Sequence, residues 1–177
     1  MTKIRNGAVW GGILSLVLST GLSGQALQSE MAADLAAVGE KYVSLAKAVP
    51  ASAYDWRPGE GVRSIQELYM HVAGAGFGLP TMVGYDAVTG VPSAWTSNPD
   101  SVTDKDEIVR ALTASFANLQ KILAATPDAD LDNMVMMFGG ERTLRSALSL
   151  IQTHAHEHLG QSIAYARTNG VTPPWSM

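Results

Sequence analysis

Three of the four histidines of the chain lie in one short segment, LIQTHAHEHLGQ, as His154, His156 and His158. Neutral imidazole is the most common protein ligand of late first-row metal ions, so the segment is a candidate metal site. If the segment is helical, with about 100° between successive residues, His154 and His158 lie on one face, one turn apart. His156 then lies about 200° from His154 and points to nearly the opposite side. The spacing therefore predicts one pair of ligands, His154 and His158, with His156 as a solvated or supporting residue.

The fourth histidine, His71, lies far upstream in ELYMHVAGAG. Leu68 precedes His71 by three residues, and Leu150 precedes His154 by four. Each histidine therefore shares a helix face with an apolar residue, and both faces should point into a helical core. Two inward histidines on one helix and one on another can share a single ion. Three protein ligands leave coordination positions open for water or substrate, as in catalytic zinc sites. The alternative is that His71, His154 and His158 are ordinary buried, hydrogen-bonded histidines.

Two polar residues beside the histidine pair, Glu157 and Gln161, are the candidate catalytic residues. HAHEH matches the H-x-x-E-H pattern of a class of zinc proteases, but that class needs a further acidic ligand downstream. None of the 19 residues after His158 is Asp or Glu, so a protease of this class is disfavoured. Glu157 could assist a bound water, or it is a surface acid. Gln161 lies on the ligand face and could bond a bound water or orient a histidine; alternatively it is a packing residue.

Four segments with apolar residues three and four apart predict the amphipathic helices that must position these side chains. The predicted helices run over residues 28–49, from Ser64 to about Phe77, from Thr103 to Pro127, and from Thr143 to Asn169. The second begins with a capping box of Ser64 and Glu67, and the third is expected to pair Thr103 with Asp106 in the same way. Gly170 supplies the residue that follows the fourth helix.

The connections between these helices are long. Residues 78–102 contain three prolines and three glycines and predict a crossover loop with one irregular helical turn. Residues 135–138 are a candidate short strand that turns at Gly139-Gly140. Four helices with long connections predict an all-α fold, a four-helix bundle with crossover connections. The inward Glu-x-x-His pairs of di-iron bundles are missing, so a dinuclear carboxylate centre is disfavoured.

The N-terminal residues 1–26 predict a signal peptide. They combine the basic MTKIR, an uncharged apolar run, and small residues, Gly24 and Ala26, at the positions that a signal peptidase reads. The alternative is a retained membrane anchor, but the run is short for a span and rich in Gly and Ser. Residues 27–177 then form the folded domain, and we expect a periplasmic or secreted protein without a membrane contact after cleavage. The chain contains no cysteine, which excludes disulfides and a thiol nucleophile.

Composition supports one globular domain and argues against nucleic acid as a partner. The chain has 177 residues, of which 46% are hydrophobic, enough for a single core. Residues 1–26 hold two basic residues, Lys3 and Arg5, and no acid. The remainder therefore carries ten basic and sixteen acidic side chains, a formal charge of −6. An acidic surface without a basic stripe does not favour the phosphate backbone.

Two segments of the chain together resemble one known family. THAHEHLGQSIAYARTNGVTPPWS, with H-x-x-E-H-x-G-Q, then Y-x-R-x-x-G, then two prolines, resembles the C-terminal helix of the DinB-like metal-binding four-helix bundles. YDWRPGEGVRSIQELYMHVAGA resembles its second helix and the connection before it, and the similarity extends in order over nearly all of residues 27–177. The resemblance implies a site of His71, His154 and His158, in agreement with the helical phases. It also implies a divalent ion (nickel, zinc or iron), a homodimer, and no contact with DNA.

Some members of the resembled family are thiol-dependent transferases or isomerases, and many have no known activity. The leading hypothesis is therefore an exported, metal-dependent enzyme that acts on a small-molecule substrate by thiol transfer or hydrolysis. An exported protein would meet little cytosolic thiol cofactor, which disfavours thiol transfer. The alternatives are a non-catalytic metal-binding or small-ligand-binding protein of the cell envelope, and a structural bundle with buried histidines.

Overall fold

The computed structural model describes residues 26–176, and these residues form a helical bundle with one small β-hairpin. The helices are α1 (Ala26–Ala48), α2 (Ile65–Met82), α3 (Ala94–Ser97, a single turn), α4 (Lys105–Ala125) and α5 (Leu144–Thr168), and the strands are β1 (Met134–Met137) and β2 (Gly140–Thr143). The all-α bundle is thus confirmed, whereas the predicted signal peptide, apart from Ala26, lies outside the described residues. No helix within residues 26–176 is both long and apolar enough to cross a membrane.

The four long helices are not arranged in the order of the sequence. α1 packs against α4 and α5, and α2 packs against the same two helices. Consecutive helices α1 and α2 are therefore diagonal to each other, which is the crossover arrangement expected from the long connections. Tyr42 lies at the centre of the core: it is fully buried, its ring stacks on Phe116 of α4, and its hydroxyl donates to the carbonyl oxygen of Ala155 in α5 at 2.9 Å.

The start of α2, which carries His71, is fixed by the predicted capping box. The backbone N–H of Glu67 donates to Ser64 Oγ at 3.3 Å, and the backbone N–H of Ser64 donates to Glu67 Oε2 at 2.7 Å. Two donors of the first turn, which have no partner within the helix, are satisfied in this way. The phase of α2 is thereby set, and His71 follows two turns after the cap.

The end of α2 differs from the prediction, because the helix continues beyond Phe77 to Met82 and includes Pro80. Proline has no N–H, so the carbonyl group four residues earlier, that of Gly76, loses its partner within the helix. Asn118 of α4 donates from Nδ2 to this oxygen at 3.3 Å and replaces the missing donor. A contact between helices thus permits a proline that sequence rules assign to a loop.

The caps of the two later helices are close to those predicted. Asp104, and not Thr103, is the N-cap of α4: its carboxylate accepts the backbone N–H of Glu107 at 2.7 Å, so the predicted pairing with Asp106 is wrong by one residue. Thr143 caps α5 by accepting the N–H of Ser146 at 3.2 Å. Gly170, with φ of 74°, follows the end of α5 as expected for that position.

The candidate strand is one half of an antiparallel hairpin formed by β1 and β2, with Met137 opposite Gly140. The two turn residues are Phe138 and Gly139, with φ of 53° and 77°, so the predicted turn at Gly139-Gly140 is displaced by one residue. Positive φ at both central residues is the geometry of a type I′ turn, which suits the twist of two paired strands. Phe138, 62% exposed, therefore stands at the tip of the hairpin.

Candidate metal centre

The structure brings together the three histidines selected from the sequence. The Nε2 atoms of His71 on α2 and of His154 and His158 on α5 form a triangle in which every side is 3.1 Å. His158 is 8% exposed, and the other two rings are partly buried. His71 and His154 are separated by 83 residues, and the packing of α2 against α5 is what brings them together.

The spacing of the triangle suits three ligands of one ion. Metal–nitrogen bonds of about 2.0–2.1 Å place two ligand nitrogens about 2.9 Å apart at a right angle and about 3.4 Å apart at a tetrahedral angle. The 3.1 Å separation lies between these values. His71, His154 and His158 form a group of three side chains that could hold a metal ion among the described residues.

Hydrogen bonding among the three rings does not account for the triangle. In a neutral imidazole, Nε2 carries either a proton or a lone pair. Three mutually adjacent Nε2 atoms must therefore include two of the same kind, and that pair cannot form a hydrogen bond. Protonating both nitrogens of one ring makes that ring a cation with an N–H at Nε2, and it adds no acceptor to the triangle. Three lone pairs directed at a cation satisfy all three atoms together, which a purely structural role for these histidines does not.

Burial keeps two of the rings neutral. Desolvation lowers the pKa of His71 to about 4, with further lowering by the positive charge of Arg63 and by the neighbouring histidines. Desolvation also lowers the pKa of His154 to about 4; His158 and Arg63 add to this effect and Glu157 opposes it. Both imidazoles are therefore unprotonated at neutral pH, which is the state that a metal ligand requires.

Gln161 contacts His158 on the side of the ring opposite the triangle. His158 Nδ1 lies 2.8 Å from Gln161 Oε1, and an amide oxygen only accepts, so Nδ1 carries the proton. A neutral His158 then has its lone pair on Nε2, directed at His71 and His154. Gln161 thus sets the tautomer of the ring, the effect that partners behind a metal ligand usually have.

The two remaining polar residues of HAHEH point elsewhere. His156 Nε2 lies 2.7 Å from Asp34 Oδ2 of α1, and Gln152 Nε2 donates to the same oxygen at 2.7 Å. His156 is thereby part of a contact between α1 and α5, away from the triangle. Glu157 is exposed and lines neither cavity beside the triangle, and its charge opposes the lowering of the pKa of His154.

The triangle opens into a cleft made of two cavities. One, of about 530 Å³, is lined by His158 and Gln161; the other, of about 490 Å³, is lined by His71 and His154. Arg63 and Asp100 line both cavities and so join them into one surface around the histidines. We refer to this surface, with the histidines at its centre, as the cleft.

Sequence reasoning did not select Arg63, Asp100 or Phe138, although all three line the cleft. Each lies in a connection, where no periodic pattern indicates which way a side chain points. One signal was present for Arg63, because it directly precedes the cap of the helix that carries His71. Another was present for Phe138, since a residue before glycine in a two-residue hairpin turn is held at the tip.

Solved structures with the same fold include DinB-like proteins from Bacillus subtilis and Bacillus cereus. Each is 19% identical to the chain with a TM-score of 0.62; the alignments cover 81% and 84% of this chain and 93% of each of those chains. YfiT from Bacillus subtilis, described as a probable metal-dependent hydrolase with an unusual four-helix bundle topology, is 15% identical with a TM-score of 0.63, over 82% of this chain and 89% of YfiT. At these identities the likeness shows the fold alone.

The family assignment comes from the sequence match. None of the curated proteins compared with the chain is significantly similar to it. A family model of the DinB superfamily matches residues 34–162, which is most of the chain and includes α2, α4, the larger part of α5 and all three histidines of the triangle. The chain belongs to the DinB superfamily.

Proposed function

We propose that the protein binds one divalent metal ion through His71, His154 and His158 and uses it to act on a small-molecule substrate, with hydrolysis as the leading reaction. The observation that carries this proposal is the triangle of Nε2 atoms, 3.1 Å on each side, at the base of a cleft. Three neutral nitrogen ligands suit nickel, zinc and iron alike. The ion is the cofactor, and its identity is left to metal analysis.

The residues of the chain have distinct tasks in this proposal. His71, His154 and His158 present lone pairs, and Gln161 holds the tautomer of His158 through Nδ1. When bound, a divalent ion supplies Lewis acidity, which polarises a substrate carbonyl or phosphoryl group and activates water. Glu157, as an exposed residue outside the cleft, is a weaker candidate for proton transfer than the sequence pattern indicated. We therefore assign Gln161 a positioning role.

Hydrolysis is favoured over thiol transfer by two considerations. YfiT, which shares the fold, is described as a probable metal-dependent hydrolase. Export, which stays a prediction from residues 1–26, would also separate the protein from cytosolic thiols. The homodimer and the periplasmic or secreted location likewise stay predictions. A non-catalytic metal-binding or small-ligand-binding protein of the cell envelope is the second candidate. Among the described residues, Gln161 is the one side chain outside the triangle that hydrogen-bonds to its imidazole rings, and its amide is neither an acid nor a base.

Metal analysis of the protein purified without a histidine tag tests the site. We expect nearly one equivalent of metal in the wild type and in His156→Ala, and a loss of most of it in His71→Ala, His154→Ala and His158→Ala. His156→Ala is a matched control, because it removes an imidazole from the same helix that faces Asp34 instead of the cleft. Equal loss in the control, or no metal in wild type supplied with nickel, zinc and iron, would contradict the proposal.

A second experiment separates an enzyme from a binding protein. A panel of small esters, amides and phosphoesters, with thiol substrates as a separate arm, is assayed with metal-loaded and chelator-treated protein. Turnover that disappears with the chelator, returns with metal and is absent in His158→Ala supports an enzyme. Stoichiometric metal without turnover on any arm supports the binding protein.

A further inference from the structure

One guanidinium in the cleft has no partner in the described part of the chain. Arg63 forms no salt bridge or side-chain hydrogen bond among residues 26–176, whereas Arg57, which lines one of the same cavities, is paired with Glu67 at 2.9 Å. Arg63 is exposed and lines both cavities. An available planar donor group therefore stands next to the candidate metal ligands.

The cavity beside His71 and His154 has an apolar wall. Leu79 and Met82 come from the last turn of α2, and Phe138 comes from the hairpin tip. Met82 and Phe138 are 42% and 62% exposed, so both present apolar surface that a ligand in the cavity can contact.

We propose that the cleft binds a small organic anion with an apolar body, whose oxyanion pairs with Arg63 and whose apolar part packs against Leu79, Met82 and Phe138. A guanidinium matches carboxylate and phosphate oxygens with two parallel hydrogen bonds. An apolar wall with a few convergent polar groups is the usual composition of a small-molecule site. The inference rests on the proposed function, because it names the substrate class of the same metal centre.

Charge in the cleft supports an anion over a cation. Three neutral imidazoles do not offset the charge of a divalent ion, so a loaded site adds positive charge next to Arg63. Two carboxylates of the cleft oppose an anion. Glu67 lines one cavity and is paired with Arg57, whereas Asp100 lines both cavities but lies farther than salt-bridge distance from Arg63, since no such pair occurs in the described residues. Asp100 should therefore weaken anion binding moderately without occupying the guanidinium.

The test of the charged contact uses 4-phenylbutyrate, with 4-phenylbutanol and 4-phenylbutylammonium as matched probes that share the apolar body. Dissociation constants are measured by calorimetry on the full chain, both metal-loaded and chelator-treated. In chelator-treated protein we expect the acid to bind about tenfold more tightly than the alcohol, as a hydrogen bond to a charged group typically gives. Arg63→Gln should remove this preference and leave the affinity for the alcohol unchanged, and Asp100→Asn should strengthen binding of the acid.

Arg110→Gln is the control for net charge, because Arg110 is an exposed residue of α4 that lines neither cavity. It should leave all three dissociation constants unchanged. Since the chelated protein decides the outcome, failure of this inference is distinct from failure of the proposed metal site. The inference is overturned if wild type binds acid and alcohol equally, or if Arg63→Gln keeps the preference for the acid.

The apolar contact is tested by filling the cavity from α2. A side chain at Gly78 would enter open space, because an added Cβ meets nothing within 4 Å, and Gly78 lines the cavity. The Gly78→Leu variant should therefore fold, and its leucine side chain should lower the affinity for both the acid and the alcohol at least about fivefold through steric exclusion. Gly160→Leu, at an equally open glycine of α5 outside both cavities, is the matched control and should leave affinities unchanged. Unchanged binding in Gly78→Leu would place the apolar part elsewhere and overturn the inference.

Discussion

Replacing Gln161 by leucine should weaken metal binding while leaving the bundle folded. The substitution keeps the approximate size of the side chain and removes the oxygen that accepts from His158 Nδ1 at 2.8 Å. His158 is then free to place its proton on Nε2, where the proton blocks the lone pair that a metal needs. The change acts on one ligand through its tautomer, and the other two histidines of the triangle are untouched.

The expected magnitude follows from the position of Gln161. Loss of a partner behind a ligand typically lowers metal affinity about 10- to 100-fold. Gln161 is exposed, so water can replace part of the lost hydrogen bond, and we expect the lower end of that range. A tenfold loss corresponds to about 1.4 kcal/mol in binding free energy. Gln161→Glu should restore most of the affinity, because a carboxylate accepts from Nδ1 at least as well as an amide.

Competition with a chromophoric chelator gives the affinities of wild type, Gln161→Leu and Gln161→Glu for one metal at a fixed pH. Thermal unfolding of the chelator-treated proteins is measured in parallel, and the three midpoints should agree within a few degrees. A Gln161→Leu affinity within twofold of wild type would refute the tautomer argument. So would equal weakening in Gln161→Leu and Gln161→Glu, since only the glutamate variant keeps an acceptor that can face Nδ1.

Three further predictions concern pH and the fold. In chelator-treated protein, His71 and His154 have a pKa of about 4 against an ordinary 6.5, so their contribution to stability is complete above pH 6.5 and is lost as the pH falls towards 4, because the unfolded chain takes up protons first. The pKa difference alone implies about 3 kcal/mol of stability per histidine, but both rings are only partly buried, so we expect about 1–2 kcal/mol each. Denaturant unfolding between pH 6.5 and 4 measures this loss. The loss should be largely absent in a His71→Gln, His154→Gln double variant. Gly39→Ala should destabilise the protein by about 1–3 kcal/mol, because the new Cβ would lie 2.8 Å from Phe116 Cγ. Gly78→Ala, at an open position of α2, should instead stabilise it by about 0.5–1 kcal/mol through helix propensity. A stability change of the same sign in both variants would contradict the packing described. Ser64→Ala should lower the free energy of unfolding by about 1 kcal/mol through loss of the capping box, and no change in a denaturant titration would show that the cap is dispensable.

The histidine arrangement was accessible from the sequence because helical phase is a local property. A spacing of four residues from His154 to His158 places them on one face whatever the rest of the fold, and the apolar neighbours of His71 indicate that it faces inward. The same argument separated His156 from the pair, and the structure places it against Asp34. The role of Gln161 stayed open between two alternatives, because only the rotamers of two side chains decide whether its oxygen reaches His158.

Features that depend on contacts between distant segments were not accessible in this way. The end of α2 was misplaced because Pro80 and three nearby glycines disfavour a helix, and only Asn118 of α4 supplies the donor that permits it. Arg63 and Phe138 lie in connections, whose course is set by the elements that they join. The first turn of α2, by contrast, was predicted to the residue, because Ser64 and Glu67 form their cap from neighbouring backbone groups.

The diagonal placement of α1 and α2 has a consequence for the order in which the molecule is assembled. His154 and His158 follow His71 by 83 and 87 residues, so no partial chain that stops before α5 contains more than one member of the triangle. α4 already contacts both α1 and α2, and α5 completes the bundle by packing against the same two helices. Under the proposed metal site, the complete set of three ligands therefore forms only once α5 has docked against α2. An ion held by all three histidines would report that the last helix is in place.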